Sequence, residues 1–307
     1  MATGRSSLKG QAAIVTGGGS GINLAFSQLL VEFGCNVLIA DLGLRPEAHE
    51  WIKATENSGN ANLGRPFFLK TDVTDWSQLE RTFTECIARF GQSPTIVVPG
   101  AGIFDLSTKS FWDDCDTDSR YKVLDVNLTH PIKMTRLAIR HMLDAKNNTG
   151  HAGVYGTIIH VSSITAQLAS MITPLYAASK HGISSFVRSM APLQEAAGIR
   201  VVGVAPGTVA TPLMTEHAAT ASLLNLKRDF LLPPEELARA MMALVLDIKR
   251  YKAGTILEVC DIEGRWREVS LLNDPGPQGP ASNITGSKRA VVNDIWKILG
   301  LRTGAKI

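Results

Sequence analysis

The sequence predicts an α/β fold, a doubly wound parallel sheet of about seven strands with helices on both faces. Three observations lead to this prediction. Short, nearly continuous apolar runs alternate with helical patterns from residue 11 to residue 259. Strands buried on both faces have this pattern, whereas half-exposed strands alternate apolar and polar residues. Glycine or proline follows several of these runs and helices, where the chain has to turn.

The predicted elements alternate along the chain. The strands are residues 11–16, 36–40, 67–69, 95–98, 156–161, 200–204 and 255–259. The helices are residues 22–33, 76–90, 119–144, 175–197 and 234–247. Beyond residue 270, proline and glycine largely replace apolar residues. We therefore divide the chain into one domain, 1–270, and a linker with a short tail helix, 271–307.

Composition excludes several classes of function. The chain has 31 basic and 28 acidic residues, and a net charge of +3 is too small to indicate a nucleic-acid or anionic-membrane partner. It contains neither an apolar run of about 18 residues nor an apolar leader, so no membrane span or signal peptide is predicted. The four cysteines, Cys35, Cys86, Cys115 and Cys260, are too widely spaced for a disulfide framework or a zinc site. We expect buried free thiols, a cytoplasmic location and no metal.

A glycine-rich turn follows the first predicted strand. Residues 16–22 read TGGGSGI, and the first predicted helix begins at their end. A helix N-terminus carries unpaired N–H groups and a partial positive charge, so it attracts the pyrophosphate of a dinucleotide. Glycines at 17, 19 and 21 let the backbone approach such a ligand closely. The spacing departs from GxGxxG, but the position after strand one supports a dinucleotide site.

Asp41 ends the second predicted strand. A carboxylate there accepts hydrogen bonds from ribose hydroxyls and repels a 2′-phosphate, which favours NAD over NADP. Arg45 lies four residues further on and is able to attract a phosphate, so NADP remains the less favoured alternative. An ordinary turn aspartate is the other interpretation of Asp41.

Tyr176 and Lys180 are spaced i and i+4 on a predicted helix, so they share one face. The reference pKa of tyrosine is about 10, too high for a base at neutral pH, and a nearby ammonium group favours the phenolate. Ser163 follows a strand 13 residues earlier, where its hydroxyl can meet the same substrate oxygen. A lone Tyr-x-x-x-Lys pair is usually a surface pair. Together with Ser163 and the glycine turn, it predicts a proton-transfer site.

In combination these motifs resemble the short-chain dehydrogenase/reductase family, over about residues 8–262. The motifs are 16–22 (TGGGSGI), 71–73 (TDV), 101–102 (AG), Asn127, 162–163 (SS), 176–180 (YAASK) and 206–211 (PGTVAT). Within the family, residues 176–182 and 162–163 are similar to the branch of NAD-dependent 15-hydroxyprostaglandin dehydrogenases. The resemblance implies a Rossmann-like fold and NAD(H)-dependent hydride transfer. It also implies a homodimer or homotetramer formed through helices 119–144 and 175–197.

The resemblance assigns roles to individual residues. Tyr176 would be the general acid/base, Lys180 would lower its pKa and bind the nicotinamide ribose, and Ser163 would orient the substrate oxygen. Asn127 would bind a water that links Lys180 to solvent. The implied cofactor-binding residues are Gly17, Gly19, Ser20, Gly21, Ile22, Asp41, Asp72, Val73, Ala101, Gly102, Tyr176, Lys180, Pro206, Gly207, Val209 and Thr211. Asp72 and Val73 would contact the adenine. The Val209 backbone and the Thr211 side chain would bind the carboxamide.

Two positions depart from the family pattern. Asn23 replaces the third glycine of the turn, and we expect it to displace the first helix slightly or to contact the phosphates. The family's Asn-Ala-Gly reads Gly100-Ala101-Gly102 here, preceded by Pro99. Because that asparagine normally ties neighbouring strands together, we expect looser local order after the fourth strand. Neither departure removes a catalytic group.

Residues 212–233 occupy the position of the family's substrate lid and are rich in leucine. They predict an apolar helical flap over a hydrophobic substrate, or alternatively an amphipathic helix of the core. Leu168, Met171 and Ile172 would line the same pocket. His217, within the flap, is interpreted as a surface residue.

The favoured hypothesis is an oxidoreductase that transfers a hydride between NAD(H) and a hydrophobic secondary alcohol or ketone. The alternatives are an NADPH-dependent ketoreductase of a biosynthetic pathway and a dehydratase, epimerase or cyclase that uses the same site. A cofactor-sensing or structural protein without turnover is a further hypothesis. The presence of Ser163, Tyr176 and Lys180 favours the redox enzyme.

Overall fold

The computed structural model describes residues 8–104, 111–113, 120–149, 155–216, 224–225, 227–270 and 288–301. The strands are β1 Ala12–Thr16, β2 Asn36–Asp41, β3 Pro66–Lys70, β4 Ile96–Pro99, β5 Gly156–Val161, β6 Ile199–Pro206, β7 Ile256–Val259 and β8 Arg267–Glu268. They form one sheet in the order β3-β2-β1-β4-β5-β6-β7-β8. All neighbouring pairs are parallel except β7 and β8, which are antiparallel.

Helices cover both faces of this sheet. They are α1 Gly21–Glu32, α2 Pro46–Asn57, α3 Trp76–Phe90, α4 Lys122–Leu124, α5 His130–Thr149, α6 Pro174–Ser189, α7 Leu193–Ala197, α8 Pro212–Thr215, α9 Pro234–Leu246 and α10 Lys288–Ile298. A π-helical turn, Asp125–Thr129, joins α4 to α5. Short 3₁₀ turns lie at Phe111–Asp113 and Ile164–Gln167.

The first strand shows how the sheet supports two cores. Ala13 and Val15 belong to a buried cluster that includes side chains of α1 and α9. Ala12 and Ile14 belong to a second cluster, which includes side chains of α3, α5 and α6. Because successive side chains of a strand point to opposite faces, a strand covered on both faces has to be apolar at every position. This explains the continuous apolar runs and confirms the predicted α/β class.

Two helices differ from the sequence-based expectation. α2 has no counterpart among the predicted helices, because only Ala48 and Ile52 of it are buried and so narrow an apolar stripe gives little periodicity. Its start was nevertheless marked by Pro46 in the first turn, a position that proline favours. The single helix predicted at 175–197 is two helices, α6 and α7, with a turn at residues 190–192. Pro192 lacks the N–H that would continue α6.

Smaller differences concern element ends and the edge of the sheet. The helix predicted at 119–144 begins with α4 at Lys122 and, through the π-helical turn, continues to Thr149. The eighth strand, β8, is only two residues long and pairs with the edge of β7, where no strand was predicted. In the tail, Trp296 of α10 is buried within the same cluster as α6 residues.

Strand order reverses between β1 and β4, since β2 and β3 lie on one side of this pair and β5 and β6 on the other. In open α/β sheets, ligands bind outside the carboxyl ends of the strands at such a point. The glycine turn follows β1, and Gly100 follows β4. The fold therefore places two of the sequence motifs side by side at this crevice.

Two structural features, a membrane-spanning helix and a metal-binding cluster, are absent from the described residues. Within these ranges no helix is both long and apolar enough to cross a membrane. The same part of the chain contains no group of three or more His, Cys, Asp or Glu residues arranged to bind a metal.

Cys35 and Cys86 are buried, whereas Cys260 is exposed, contrary to the expectation of buried thiols. Cys115 lies outside the described residues.

Candidate active site

One cavity of about 350 Å³ extends along the carboxyl ends of the strands. Asp41, the last residue of β2, and Asp72 and Val73, which follow β3, line one end of it. The glycine turn lines the middle, and Ser163 and Tyr176 line the part beyond β5. The order of the strands explains this sequence of residues, because β2, β1, β4 and β5 follow one another across the sheet.

Most predicted site residues line this one cavity. They are Gly17, Ser20, Gly21, Ile22, Asp41, Asp72, Val73, Ala101, Gly102, Ser163, Tyr176, Lys180, Pro206, Gly207, Val209 and Thr211. Gly19 and Asn127 lie outside the lining. A Cβ at Gly19 would lie 2.3 Å from the carbonyl oxygen of Gly43, so a glycine here serves the packing of two loops. Asn23, Ile103, Phe104 and Lys122 also line the cavity, although the sequence analysis did not assign the last three to the site.

The N-terminus of α1 opens into the cavity at Ser20, Gly21 and Ile22. Gly17 and Gly21 have φ angles of 69° and 55°, a region that favours glycine. The side chain of Ser20 makes no capping hydrogen bond, and the first turn of α1 contains no acidic residue. The positive end of the helix is therefore not neutralised by its own first turn. This arrangement fits the pyrophosphate of a dinucleotide.

Asp41 is held in place by two backbone groups. Its Oδ2 accepts a hydrogen bond from the Gly19 N–H at 2.8 Å, and its Oδ1 accepts one from the Leu42 N–H at 2.7 Å. A carboxylate has about four acceptor positions, so two of them remain for hydroxyl donors of a ligand. Since Asp41 also lines the cavity, the geometry fits a ribose at this end.

Arg45 is engaged by acidic side chains. Its Nη2 donates to both carboxylate oxygens of Glu216, at 2.7 and 2.8 Å, and its Nε lies 3.3 Å from Glu47. The hydrogen bond to Glu216 is the main cause that raises the pKa of Arg45. Glu216 follows α8, so this ion pair joins the loop after β2 to the substrate side of the molecule. The guanidinium group is therefore occupied rather than free to bind a phosphate.

Side chains fix the backbone of the segment after β4. The Thr16 Oγ1 accepts hydrogen bonds from the N–H groups of Gly100 and Ala101, at 2.9 and 3.3 Å. The Asn23 Nδ2 donates to the Gly100 carbonyl at 2.9 Å. Asn127 accepts from the Ile103 N–H at 2.9 Å and donates to the Ile103 carbonyl at 2.8 Å. This differs from the looser order that we expected for a segment without the family's asparagine.

Lys180 is a buried cation beside Tyr176. It is 6% exposed, its Nζ donates to the Val161 carbonyl at 2.8 Å, and its Nζ lies 5.4 Å from the centre of the Tyr176 ring. Among the ion pairs of the described residues, none involves Lys180. Burial lowers the pKa of Lys180 to about 8, so the ammonium form still dominates at pH 7. A buried cation favours an anion close to it.

Ser163 lines the same cavity as Tyr176, and Phe104 packs on the Tyr176 ring. Ser163 begins the 3₁₀ turn Ile164–Gln167, and its Oγ accepts from the Thr165 N–H at 3.1 Å and donates to the Thr165 hydroxyl at 3.0 Å. The Phe104 ring packs on the Tyr176 ring with 4.6 Å between centroids. A single phenylalanine in a loop gives no sequence signal, so its place in the site became visible only in the fold.

Asn127 lies in the π-helical turn before α5 and is 1% exposed. Its two hydrogen bonds to the Ile103 backbone use one N–H and one lone pair of the amide group, and a second N–H and a second lone pair remain for other partners. Three residues further on, the buried His130 bonds to the Thr16 hydroxyl at 3.1 Å and to the Val126 carbonyl at 3.0 Å. Asn127 thus contacts Ile103, a residue of the cavity wall, without lining the cavity itself. Its role in binding a water that links Lys180 to solvent stays a prediction.

The substrate side differs in part from the expected flap. Within residues 212–233, the described helix is only the single turn α8, and its Leu213 and Met214 line the cavity. Leu232 instead forms a bridge with Val209. Residues 217–223 and 226, including His217, lie outside the described residues. Leu168, Met171 and Ile172 are 58%, 76% and 63% exposed and do not belong to the cavity lining, contrary to expectation.

Fold and site together define a doubly wound α/β protein with a ligand crevice that leads to a Ser–Tyr–Lys group. The family profile described as short chain dehydrogenase matches residues 11–222. A cis-4-hydroxycyclohexanecarboxylate dehydrogenase of Sinomonas cyclohexanicum is 32% identical over 250 residues, which cover 80% of this chain and 94% of the relative. A 15-hydroxyprostaglandin dehydrogenase [NAD(+)] of Rattus norvegicus is 32% identical over 215 residues, 67% of this chain and 71% of the relative.

A solved structure supports the fold. The crystal structure of a short-chain type dehydrogenase/reductase from Mycobacterium marinum matches with a TM-score of 0.68 and 24% identity, over 82% of this chain and 95% of the other. The chain belongs to the short-chain dehydrogenase/reductase family. It is an oxidoreductase that acts on hydroxyl groups, in a family whose dehydrogenases use nicotinamide cofactors.

Proposed function

We propose that this protein transfers a hydride between NAD(H) and a hydrophobic secondary alcohol or its ketone, with Tyr176 as the general acid/base. The observation that carries the proposal is the shared cavity, in which the buried ammonium group of Lys180 lies beside the Tyr176 ring. The nicotinamide ring supplies the hydride chemistry when it is bound. The protein's own groups bind, orient and move the proton.

The proton step belongs to Tyr176. During oxidation its phenolate accepts the hydroxyl proton of the alcohol, and during reduction its phenol donates a proton to the carbonyl oxygen. The Lys180 ammonium stabilises the phenolate, because it is buried and lacks an anionic partner among the described residues. Ser163 donates a hydrogen bond to the substrate oxygen, for which its hydroxyl turns away from Thr165.

The preference for NAD rests on two side chains. Asp41 lines the cavity with acceptor capacity for ribose hydroxyls, and its negative charge repels a 2′-phosphate. Arg45, the nearby cation that favours NADP, is engaged in two hydrogen bonds with Glu216. The name of one relative also specifies NAD(+).

The substrate class rests on the cavity wall. Ile103, Phe104, Leu213 and Met214 line it together with Tyr176, which supports an apolar molecule with one reactive oxygen. The relatives' names specify a hydroxylated cyclohexane carboxylate and a hydroxylated prostaglandin. Both are hydroxylated organic compounds with hydrocarbon frameworks, and we infer a substrate of that general kind. We also propose a homodimer or homotetramer formed through α5 and α6, as the family resemblance implies.

Calorimetric titration of the purified protein with NADH and with NADPH is the decisive test. We expect NADH to bind at least about tenfold more tightly, because one repulsive charge beside a partly buried phosphate is worth about 1.4 kcal/mol or more. The matched control is Asp41→Asn, which should reduce this ratio without abolishing NADH binding. Tighter binding of NADPH would support the ketoreductase alternative instead. Binding of neither cofactor would overturn the proposal.

Turnover completes the test. With NAD present, apolar secondary alcohols should produce NADH absorbance, and polar alcohols of the same size should not. If only elimination or epimerisation products form, with no net change in the cofactor, the non-redox alternative replaces the proposal.

A further inference from the structure

Asn23 and Gly100 fit one another across the crevice. The Asn23 side chain is 7% exposed, and its Nδ2 donates to the Gly100 carbonyl at 2.9 Å. A Cβ at position 100 would lie 2.4 Å from the Asn23 Oδ1, 2.6 Å from its Nδ2 and 2.7 Å from its Cγ. Only a glycine at position 100 therefore leaves room for this amide group.

A second glycine, Gly17, also lies close to the Asn23 amide group. A Cβ at Gly17 would lie 3.1 Å from the Asn23 Nδ2 and 2.6 Å from the Cα of Ala101. The amide group thus lies between the glycine turn after β1 and the segment after β4. Its Oδ1 is buried without a hydrogen-bond partner among the described residues. An unpaired buried acceptor costs free energy, and the hydrogen bond from the Asn23 Nδ2 to the Gly100 carbonyl has to offset that cost.

We propose that the Asn23–Gly100 contact is a positioning device that sets the affinity for the dinucleotide. It fixes the first turn of α1, whose N-terminus faces the cavity, against the segment that continues to Ala101 and Gly102. The two departures from the family pattern then compensate one another, because the Asn23 amide group occupies the space that Gly100 leaves open. The inference rests on the proposed binding of NAD(H).

Other contacts fix the same segment independently of Asn23. The N–H of Gly100 donates to Thr16, and Thr16 bonds to the buried His130. Two residues after Ala101, Ile103 is fixed by Asn127. Removing the amide of Asn23 releases one carbonyl of this segment and leaves the Thr16 and Asn127 contacts in place. We therefore expect a graded loss of cofactor affinity rather than loss of the fold.

A double-mutant cycle tests the proposal, with the dissociation constant for NADH and the melting temperature as readouts. Asn23→Ala should weaken NADH binding about fivefold, the effect of one lost hydrogen bond. Gly100→Ala should weaken it about tenfold or more, because the new methyl group displaces the amide. In the double variant the methyl group meets no amide, so affinity should match that of Asn23→Ala alone. Such a departure from additivity is the signature of direct contact.

Relocation of the amide provides a sharper test. The variant that combines Asn23→Gly with Gly100→Asn should bind NADH more tightly than Asn23→Gly alone. In Asn23→Ala the KM for the cofactor should rise about fivefold, while kcat at saturation stays within about twofold, because Tyr176 and Lys180 are not moved. A general loss of folding would lower the active fraction, and with it kcat, instead.

Ser27→Ala is the matched control. Ser27 is buried on the same helix, and its hydroxyl donates to the Asn23 backbone carbonyl at 2.7 Å, but it does not contact Gly100. Its effect should add to that of Gly100→Ala without coupling. If Gly100→Ala fails to fold, the double variant Asn23→Ala, Gly100→Ala provides the test. A folded double variant demonstrates the same coupling, and an unfolded double variant contradicts it.

Two results would overturn the inference: additive effects of Asn23→Ala and Gly100→Ala on both readouts, or unchanged NADH affinity in Asn23→Ala. Failure of the proposed function looks different. In that case the unmodified protein binds no NADH, yet the melting temperatures still report whether positions 23 and 100 are coupled.

Discussion

The two ends of the crevice are built in different ways. At the catalytic end, Tyr176 and Lys180 lie one turn apart on α6, and Ser163 is the second residue after β5. At the cofactor end, the important contacts join distant parts of the chain: Asn23 to Gly100, 77 positions apart, and Arg45 to Glu216, 171 positions apart. The first kind of geometry follows from local spacing, and the second depends on the complete fold.

This difference separates chemistry from selectivity. Helix periodicity brings Tyr176 and Lys180 together whatever surrounds them, so the catalytic groups tolerate changes elsewhere. The cofactor end is set by pairs of residues that contact each other across the fold, as Asn23 and Gly100 illustrate. We therefore expect substitutions at the catalytic end to abolish turnover, and substitutions at the cofactor end to alter affinity by smaller factors.

Tyr176→Phe should have the largest effect. It removes the hydroxyl that moves the proton and keeps the ring that packs on Phe104, so kcat should fall about 10³-fold or more while NADH affinity stays within about twofold. Steady-state kinetics and calorimetry on the same preparation measure both quantities. Full activity in this variant would refute Tyr176 as the general acid/base.

Lys180→Met should lower kcat about 10²-fold at pH 7, because the phenolate loses its neighbouring cation. Burial lowers the pKa of Lys180 to about 8, so the unmodified protein also loses this cation as the pH rises through 8. The difference between the two proteins should therefore be largest below pH 8 and narrow above it. A pH–rate profile with a constant ratio from pH 6.5 to pH 9.5 would contradict the role of the ammonium group.

A stability measurement on the same variant excludes unfolding as the cause. The ordinary pKa of lysine is 10.5, so between pH 8 and pH 10.5 the unfolded chain binds a proton that the folded chain has lost. Burial of the lysine thus opposes folding below pH 8, and this penalty decreases as the pH rises to 10.5. Lys180→Met should consequently unfold at an equal or higher urea concentration at pH 7, although it is less active.

Two buried histidines, His130 and His160, should make the fold sensitive to acid. Burial lowers the pKa of His130 to about 4 and that of His160 to about 3, from 6.5. Below pH 6.5 the unfolded chain therefore binds protons that the folded chain does not, and stability falls as the pH decreases. By pH 5 the loss should be about 2 kcal/mol per histidine.

Urea unfolding at pH 7 and pH 5 measures this loss. His160→Gln should reduce the difference between the two pH values, whereas His49→Gln, a change at an exposed residue, should leave it unchanged. If His160→Gln keeps the full difference, His160 is not the source of the acid sensitivity. Because the test uses the difference in unfolding free energy between pH 7 and pH 5, a destabilisation by glutamine that is equal at both pH values does not affect it.

The contrast between local and long-range contacts explains which features of the protein could be predicted from its sequence. Seven of the eight strands, the glycine turn and the Ser163–Tyr176–Lys180 group could be predicted, because each is expressed in periodicity or spacing over a few residues. The partners of Asn23 and Arg45 could not be, since Gly100 and Glu216 lie far away in sequence and no local spacing connects each pair. α2 escaped prediction because it buries only one narrow stripe, and the position of Phe104 on Tyr176 depends on a loop that has no periodicity.

Glu216→Gln should have a smaller effect that is confined to selectivity. Arg45 and Glu216 are 39% and 53% exposed, and exposed ion pairs contribute little to stability, so the melting temperature should hardly change. The freed guanidinium group can bind a 2′-phosphate through charge-assisted hydrogen bonds, which should tighten NADPH binding about fivefold. NADH affinity should stay within about twofold, because NADH lacks this phosphate.

Glu47→Gln is the matched control, since Glu47 approaches Arg45 only through Nε at 3.3 Å and leaves the Glu216 contact intact. It should change NADPH affinity much less than Glu216→Gln does. Equal weakening of NADH and NADPH in Glu216→Gln would contradict this account. That result would mean that the ion pair closes over the common part of both cofactors, and that Asp41 alone discriminates between them.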